Sequence, residues 1–110
     1  MEISLSEKNG YNILSLKGEF DMSDSSSFES IINNIKSKSK NIIIDCTDLE
    51  YLDSSAIGQL IQLQMDITNN DGKLYIANLN EFILNIFEIA DLNTFFTIIT
   101  NEQMKTIVGD

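Results

Sequence analysis

Apolar and polar residues alternate along the first twenty positions in the manner of two β-strands. Ile3 and Leu5 alternate with polar residues in MEISLSE, and Leu14 and Leu16 do so in YNILSLKGE. A period of two is typical of a strand with one buried face. The Asn-Gly dipeptide between the two segments favours a tight hairpin turn. The chain is therefore predicted to begin with an antiparallel β-hairpin.

The pattern then changes to the period of a helix. The apolar residues of this segment recur at one-turn spacing and are Phe28, Ile31, Ile32 and Ile35. Such spacing predicts one buried helix face. Ser26 and Glu29 match the capping-box pattern that begins a helix, and Ser23 and Asp24 are further candidate caps.

The central segment predicts a buried strand followed by a second helix. The run NIIIDC at 41–46 is apolar throughout, which is typical of a strand covered on both faces. A helix follows from about Ser54 to Thr68. Its buried stripe is predicted to comprise Ala56, Leu60, Leu63 and Ile67.

The remaining residues predict two more strands and one or two more helices. KLYIAN and FFTIIT are short strands, residues 79–92 form a third helix, and NEQMKTIV is a short terminal helix. The inner face of the third helix is predicted to comprise Leu79, Phe82, Ile83, Ile86, Phe87 and Ala90.

This order of elements predicts an α/β fold. A hairpin followed by repeated βαβ units gives a mixed sheet of about five strands with three to four helices packed on it. We expect residues 1–110 to form a single domain, since 43% of them are hydrophobic. Right-handed crossovers would bring the loops at 18–25 and 48–55 to one edge of the sheet.

The composition disfavours several kinds of chemistry. The chain has no histidine and no arginine, so it has no histidine relay, no histidine metal ligand and no guanidinium group to grip a phosphate. We therefore expect no enzyme activity, no cofactor and no metal. The single cysteine, Cys46, cannot form an internal disulfide, and no signal peptide or membrane span is evident, so we expect a cytoplasmic protein.

The net charge of −10 is concentrated in the second part of the chain. No basic residue occurs between Asn41 and Gly72, whereas six aspartates and glutamates do. Such a surface repels nucleic acid and would attract a basic protein partner. Simple solubility is an equally good explanation of the charge alone.

The junction Asp53-Ser54-Ser55 lies where the buried strand leads into the second helix. Any of these three residues could cap the helix by accepting a hydrogen bond from a first-turn amide. A phosphate on Ser54 would also be tolerated there, because a helix N-terminus has free amide donors and a partial positive charge. One turn later, Gly58 either packs closely against the sheet, which we favour, or leaves bare backbone for a partner to approach.

Asp45, at the end of the buried strand, is a weaker candidate for chemistry. An aspartate at such a place is typical of phospho-accepting receiver domains. The first strand is followed by Glu7-Lys8-Asn9-Gly10, however, which offers no acidic pair to bind magnesium. We therefore disfavour a receiver domain, and we expect Cys46 to be a buried apolar residue.

Three segments resemble the STAS-domain family of bacterial anti-sigma-factor antagonists. GEFD at 18–21 resembles the family's Gly-Glu-Leu-Asp motif, and DLEYLDSSAIGQL at 48–60 resembles its Asp-Ser-Ser/Thr-Gly-Leu-Gly motif. Residues 78–98 resemble its third helix and last strand. The resemblance covers nearly the whole chain in order.

The resemblance implies a phosphorylation-controlled binding protein. Ser54 would be the phosphorylated residue, and the partner would be an anti-sigma factor with GHKL-type serine kinase activity. The unphosphorylated form would bind this partner and free the sigma factor, and a PP2C-type phosphatase would reverse the phosphorylation. The residues implied in partner binding are Asp21, Ser23, Asp53, Ser55, Ala56 and Gly58.

The sequence departs from the family motif at Ala56, where glycine is usual. If that glycine lets the kinase approach, phosphorylation here would be slower or use another partner. If it only opens the helix, alanine improves the helix. Two alternatives stay open: a STAS scaffold or sensor without a phosphorylation cycle, and, least favoured, an enzyme using Asp21 and Asp53 as an acid–base pair.

Overall fold

Five strands form one mixed sheet in the computed structural model, which describes residues 1–109. The strands are β1 Glu2–Lys8, β2 Tyr11–Phe20, β3 Asn41–Leu52, β4 Lys73–Ala77 and β5 Thr97–Ile99, and they lie side by side in that order. β1 is antiparallel to β2, and all other neighbours are parallel. The predicted α/β fold with an initial hairpin is confirmed.

The helices are α1 Ser25–Lys36, α2 Ser54–Asn69, α3 Glu81–Ile89, α4 Leu92–Phe95 and α5 Asn101–Val108. The described residues thus contain five α-helices, where the sequence predicted three to four. The difference arises at Asp91, whose φ of 58° is left-handed and cannot continue an α-helix. The third predicted helix therefore ends at Ile89, and α4 takes the start of the predicted last strand.

The strand β3 is buried on both faces, as predicted. Ile42 and Ile44 belong to a core that includes buried residues of α1, α2 and α3. Ile43 points to the opposite face, where it packs in a smaller cluster with Val108 of α5. The helices α1, α2 and α3 thus cover one face of the sheet, and α5 covers part of the other.

The buried stripe of α2 is confirmed, with all four predicted residues no more than 3% exposed. The inner face of α3 is narrower than predicted. Only Ile83 and Phe87 are buried, while Phe82 is 58% exposed and Ala90 is exposed. A nine-residue helix that rests on two residues one turn apart turns its other apolar side chains away from the sheet.

The start of α1 also differs from the prediction. A short 3-10 turn, Met22–Asp24, runs directly into α1, so Ser26 already lies inside the helix. The predicted capping box of Ser26 and Glu29 is therefore wrong. The capping bonds lie one turn earlier, where the Asp21 carboxylate accepts from the amide of Ser23 and the amide of Asp21 donates to Asp24.

Candidate functional site

The loops that follow β2 and β3 meet at the carboxyl edge of the sheet, as predicted. The strands end in register, with Phe20 opposite Leu52. The amide of Asp53 donates a hydrogen bond to the carbonyl oxygen of Phe20, at 3.1 Å. The amide of Met22 donates to Oδ2 of Asp53, also at 3.1 Å. These two bonds hold the Asp-Ser-Ser junction against the loop that carries Asp21.

Gly18 lets β2 reach this position. Its φ is 99°, and the pairing of β2 with β3 shifts register between Gly18 and Glu19. A positive φ of this size is available to glycine at little cost and is typical of a β-bulge. The bulge explains why the first residue of the GEFD segment is a glycine.

Asp53 is the residue that caps α2. Its Oδ1 accepts from the amide of Ala56 at 2.9 Å and from the hydroxyl of Ser55 at 2.8 Å. These bonds, the Ala56 amide first, lower the pKa of the Asp53 carboxyl below its ordinary value. Of the three candidate caps, the structure selects Asp53, and it engages the Ser55 hydroxyl in the same cap.

Ser54 is the first residue of α2, and it is exposed. Within residues 1–109 its hydroxyl has no hydrogen-bond partner. The two serines therefore differ in what they offer to another molecule. The hydroxyl of Ser55 is held by Asp53, whereas that of Ser54 is free to react or to bind.

Asp21 caps the 3-10 turn that precedes α1. Its Oδ1 accepts from the hydroxyl of Ser23 at 2.5 Å and from the amide of Ser23 at 2.9 Å. The hydroxyl bond is the main reason that the pKa of Asp21 is lowered. The structure thus pairs Asp21 with Ser23 rather than with the Ser54 hydroxyl.

The carboxylates of Asp21 and Asp53 do not form an acid–base pair. A general acid needs a carboxyl group whose pKa is raised, and the pKa values of both groups are lowered. Oδ1 of each carboxylate accepts capping bonds, and Oδ2 of Asp53 also accepts the amide of Met22. Asp21 and Asp53 thus serve as two caps, and Ser54, directly after Asp53, is exposed to solvent.

Ala56 and Gly58 are placed differently from one another. Ala56 is fully buried, so its methyl group packs in the core and does not face a partner. Gly58 is exposed, and a Cβ built on it would meet nothing within 4 Å. The favoured account of Gly58, close packing against the sheet, is therefore wrong, and bare backbone lies open one turn after Ser54.

Two features of this edge were not selected from the sequence. Met22 is 71% exposed, although its amide is tied to Asp53. Tyr51 and Phe82 lie beside one another with ring centroids 6.3 Å apart, and both are exposed. The position of Met22 directly after Asp21 is a sequence signal that could have pointed to it. The contact between β3 and α3 had no sequence signal.

Among the described residues, no group of three or more Cys, Asp and Glu side chains is arranged to hold a metal ion. None of the helices between residues 1 and 109 has both the length and the apolar character needed to cross a bilayer.

A family model for the STAS domain matches residues 2–104. The chain therefore belongs to the STAS-domain family. A STAS-domain-containing protein of Pseudomonas aeruginosa is 24% identical over 85 residues, which cover 77% of this chain and 84% of the relative.

Solved structures share the fold at lower sequence identity. A crystal structure of an anti-sigma factor antagonist from Mycobacterium paratuberculosis superposes with a TM-score of 0.84 at 19% identity, covering 99% of this chain and 94% of that one. The phosphorylated form of the Bacillus cell fate determinant SpoIIAA gives 0.73 at 18% identity, covering 94% and 96%. These likenesses establish the fold.

Proposed function

We propose that this protein is an anti-sigma-factor antagonist controlled by phosphorylation. Its unphosphorylated form binds an anti-sigma factor with GHKL-type serine kinase activity, and the sigma factor is released. Phosphorylation of Ser54 by that kinase ends the binding, and a PP2C-type phosphatase restores it in the cytoplasm. The observation that carries this proposal is the exposed, unpartnered hydroxyl of Ser54 at the first residue of α2.

The position of Ser54 suits a reversible phosphate. The N-terminal turn of a helix provides amide donors and a partial positive charge, which stabilise a phosphate without a new ion pair. The cap of α2 is made by Asp53, so modification of Ser54 removes no bond that holds the helix. The phosphorylated protein therefore keeps its fold, and the added charge acts on the partner.

The departure at Ala56 does not weaken the proposal. The methyl group of Ala56 lies in the core, so it places nothing on the surface that a kinase would approach. The open backbone at Gly58 remains available beside Ser54. Alanine also favours the helix that carries the serine.

The structural neighbours support the class of partner. One is an anti-sigma factor antagonist and another is a SpoIIAA protein in its phosphorylated form. Fold alone does not fix function, so these likenesses only support what Ser54 and its surroundings indicate.

The test is to incubate the protein with its cognate GHKL-type kinase and Mg-ATP, and to map any phosphate by mass spectrometry. We expect one phosphate on Ser54 in the native protein and in Ser55→Ala, and none in Ser54→Ala. Ser55→Ala is the matched control, because it removes the neighbouring hydroxyl that Asp53 holds. A phosphate on Ser55 or on the serines at 23–27 would contradict the proposal. Stable binding without phosphate on any variant would favour the scaffold alternative.

A further inference from the structure

The outward face of α3 carries two parallel rows of different chemistry. At 100° per residue, Phe82 and Ile89 lie in one row, and Glu81 and Glu88 lie in the next. Asn85 lies between the rows. All five of these residues are exposed, whereas Ile83 and Phe87 on the opposite side are buried.

The apolar row exposes large side chains to solvent, which solubility disfavours. Phe82 is 58% exposed and Ile89 is 78% exposed, and they stand two helical turns apart, about 10 Å. Tyr51 of β3 extends the row toward the edge of the sheet, since its ring lies 6.3 Å from that of Phe82. Exposed aromatic and aliphatic side chains in one continuous patch mark a surface that another molecule covers.

The charged residues of α3 itself are all negative. Glu81 and Glu88 flank the apolar row along the helix. No lysine occurs between Lys73 and Lys105, so α3 has no basic residue of its own to neutralise these carboxylates. A shallow depression of about 480 Å³ lies along the acidic row, lined by Glu81, Phe82, Leu84, Asn85 and Glu88.

We propose that the outward face of α3, with Tyr51, is a docking surface for a basic amphipathic helix of a protein partner. Apolar side chains of that helix cover Phe82 and Ile89, and its lysines or arginines lie against Glu81 and Glu88. Helices that dock on one another do so through apolar anchor residues, some of them seven residues apart. Phe82 and Ile89 have this spacing. The proposal does not depend on phosphorylation of Ser54.

The probe is a fluorescent synthetic helical peptide with a row of leucines and an adjacent row of lysines. We expect it to bind the full-length protein in an anisotropy titration, with affinity falling as salt rises. In ¹⁵N spectra the shifts should cluster on α3 and Tyr51. The same peptide with glutamate in place of lysine should bind at least about tenfold more weakly, because its charge matches that of α3.

Variants of the protein test the two rows separately. Phe82→Ser should weaken peptide binding by about tenfold or more, as expected for an aromatic anchor. The double variant Glu81→Gln/Glu88→Gln should weaken binding and reduce its salt dependence. Leu5→Ser is the matched control, since Leu5 is 51% exposed on the distant edge strand β1. It should bind as the native protein does, and unchanged circular dichroism should accompany every variant.

Several results would overturn the proposal. Equal binding of the lysine and glutamate peptides would remove the charge argument, and unchanged binding by Phe82→Ser would remove the anchor. A native dimer in sedimentation that Phe82→Ser converts to a monomer would identify a second copy of this chain as the occupant. Ser54→Asp should bind the lysine peptide at least as well as the native protein, because it adds negative charge. Shifts that cluster on the first turn of α2 in place of α3 would put the peptide on the Ser54 surface instead, and would leave the proposed function untouched.

Discussion

The carboxylate of Asp53 accepts a hydrogen bond from the backbone amide of Met22 at 3.1 Å, although the two residues lie 31 positions apart. The other oxygen of the same carboxylate caps α2 through the amide of Ala56. One side chain therefore fixes both the start of α2 and the loop that carries Asp21. The carboxylate of Asp53 thus helps to hold the surface around Ser54 in shape without engaging the Ser54 hydroxyl.

The first prediction concerns the charge of Asp53. Because its pKa is lowered from the ordinary value of 3.8, the ionised group stabilises the fold, and this contribution is fully present above that value. It is lost as the pH falls through the lower pKa of the folded state. Asp53→Asn keeps a capping oxygen but loses the charge. We expect the native protein to melt at a higher temperature than Asp53→Asn at neutral pH, and the gap to close below about pH 4.

Thermal melting of both proteins between neutral and strongly acidic pH measures this gap. A constant difference across the whole range would mean that the charge contributes nothing and that only the shape of the cap matters.

The second prediction concerns Asp21. Asp21→Asn should lower the melting temperature only slightly at neutral pH, because the charge is lost but an asparagine oxygen can still accept from the amide and hydroxyl of Ser23. It should weaken kinase binding or slow phosphorylation, since the carboxylate lies in the loop that Asp53 holds beside Ser54. Titration against the kinase, together with a melting curve, separates the two effects. A clear loss of folding would show that Asp21 serves only as a structural cap.

The third prediction concerns Gly58. Gly58→Ala fills open space within a helix, so it should raise the free energy of unfolding by about 0.5–1 kcal/mol. The same methyl group would cover the bare backbone beside Ser54 and should weaken binding of the kinase. Urea denaturation and a binding titration of the same variant measure both quantities.

Gly72→Ala is the contrasting glycine variant. A Cβ there would collide with the carbonyl oxygen of Lys40 and crowd the side chain of Ile67. It should therefore destabilise the fold by about 1–3 kcal/mol.

A stabilised Gly58→Ala that binds the kinase normally would show that the open backbone is not part of the contact.

The sequence predicted the elements whose hydrophobic pattern is long or unambiguous. The apolar run of β3 and the four-residue stripe of α2 each allow one arrangement, and both were confirmed. The meeting of the two loops followed from right-handed crossovers. The capping residue was not predictable, because Asp53, Ser54 and Ser55 all have suitable oxygens. The cap is the residue at which the extended backbone gives way to the helix, and in the structure that residue is Asp53.

The same limit applies to Phe82 and Gly58. On a helix as short as α3, six apolar residues exceed what two turns can bury, and the sheet decides which of them face inward. The sequence pattern around a helical glycine is the same whether the glycine faces a neighbouring element or solvent. These ambiguities fall at the surface, which is where the candidate interaction residues lie.

The last prediction concerns how phosphorylation of Ser54 would end binding in the proposed switch. The phosphate adds a charge of about −1.5 to −2 beside Asp53, and the chain has no arginine to pair with it. Lys36 forms an ion pair with Asp66, which lies near the end of α2 opposite to Ser54. We therefore expect the backbone to keep its conformation, with the phosphate held by the first amides of α2.

Binding should then fall through repulsion and steric overlap at the contact. Each unit of the phosphate's charge repels a unit negative charge that the partner brings within about 6 Å by about 2–3 kcal/mol, at an effective dielectric of 20. That energy weakens binding by roughly 30- to 150-fold. Added salt should reduce the electrostatic part of the loss but not the steric part. Ser54→Asp should bind as weakly as the modified protein, whereas Ser54→Ala should bind and resist the kinase. Equal affinities of all forms would contradict the switch, and a large movement of α2 between the free and phosphorylated structures would contradict this mechanism for it.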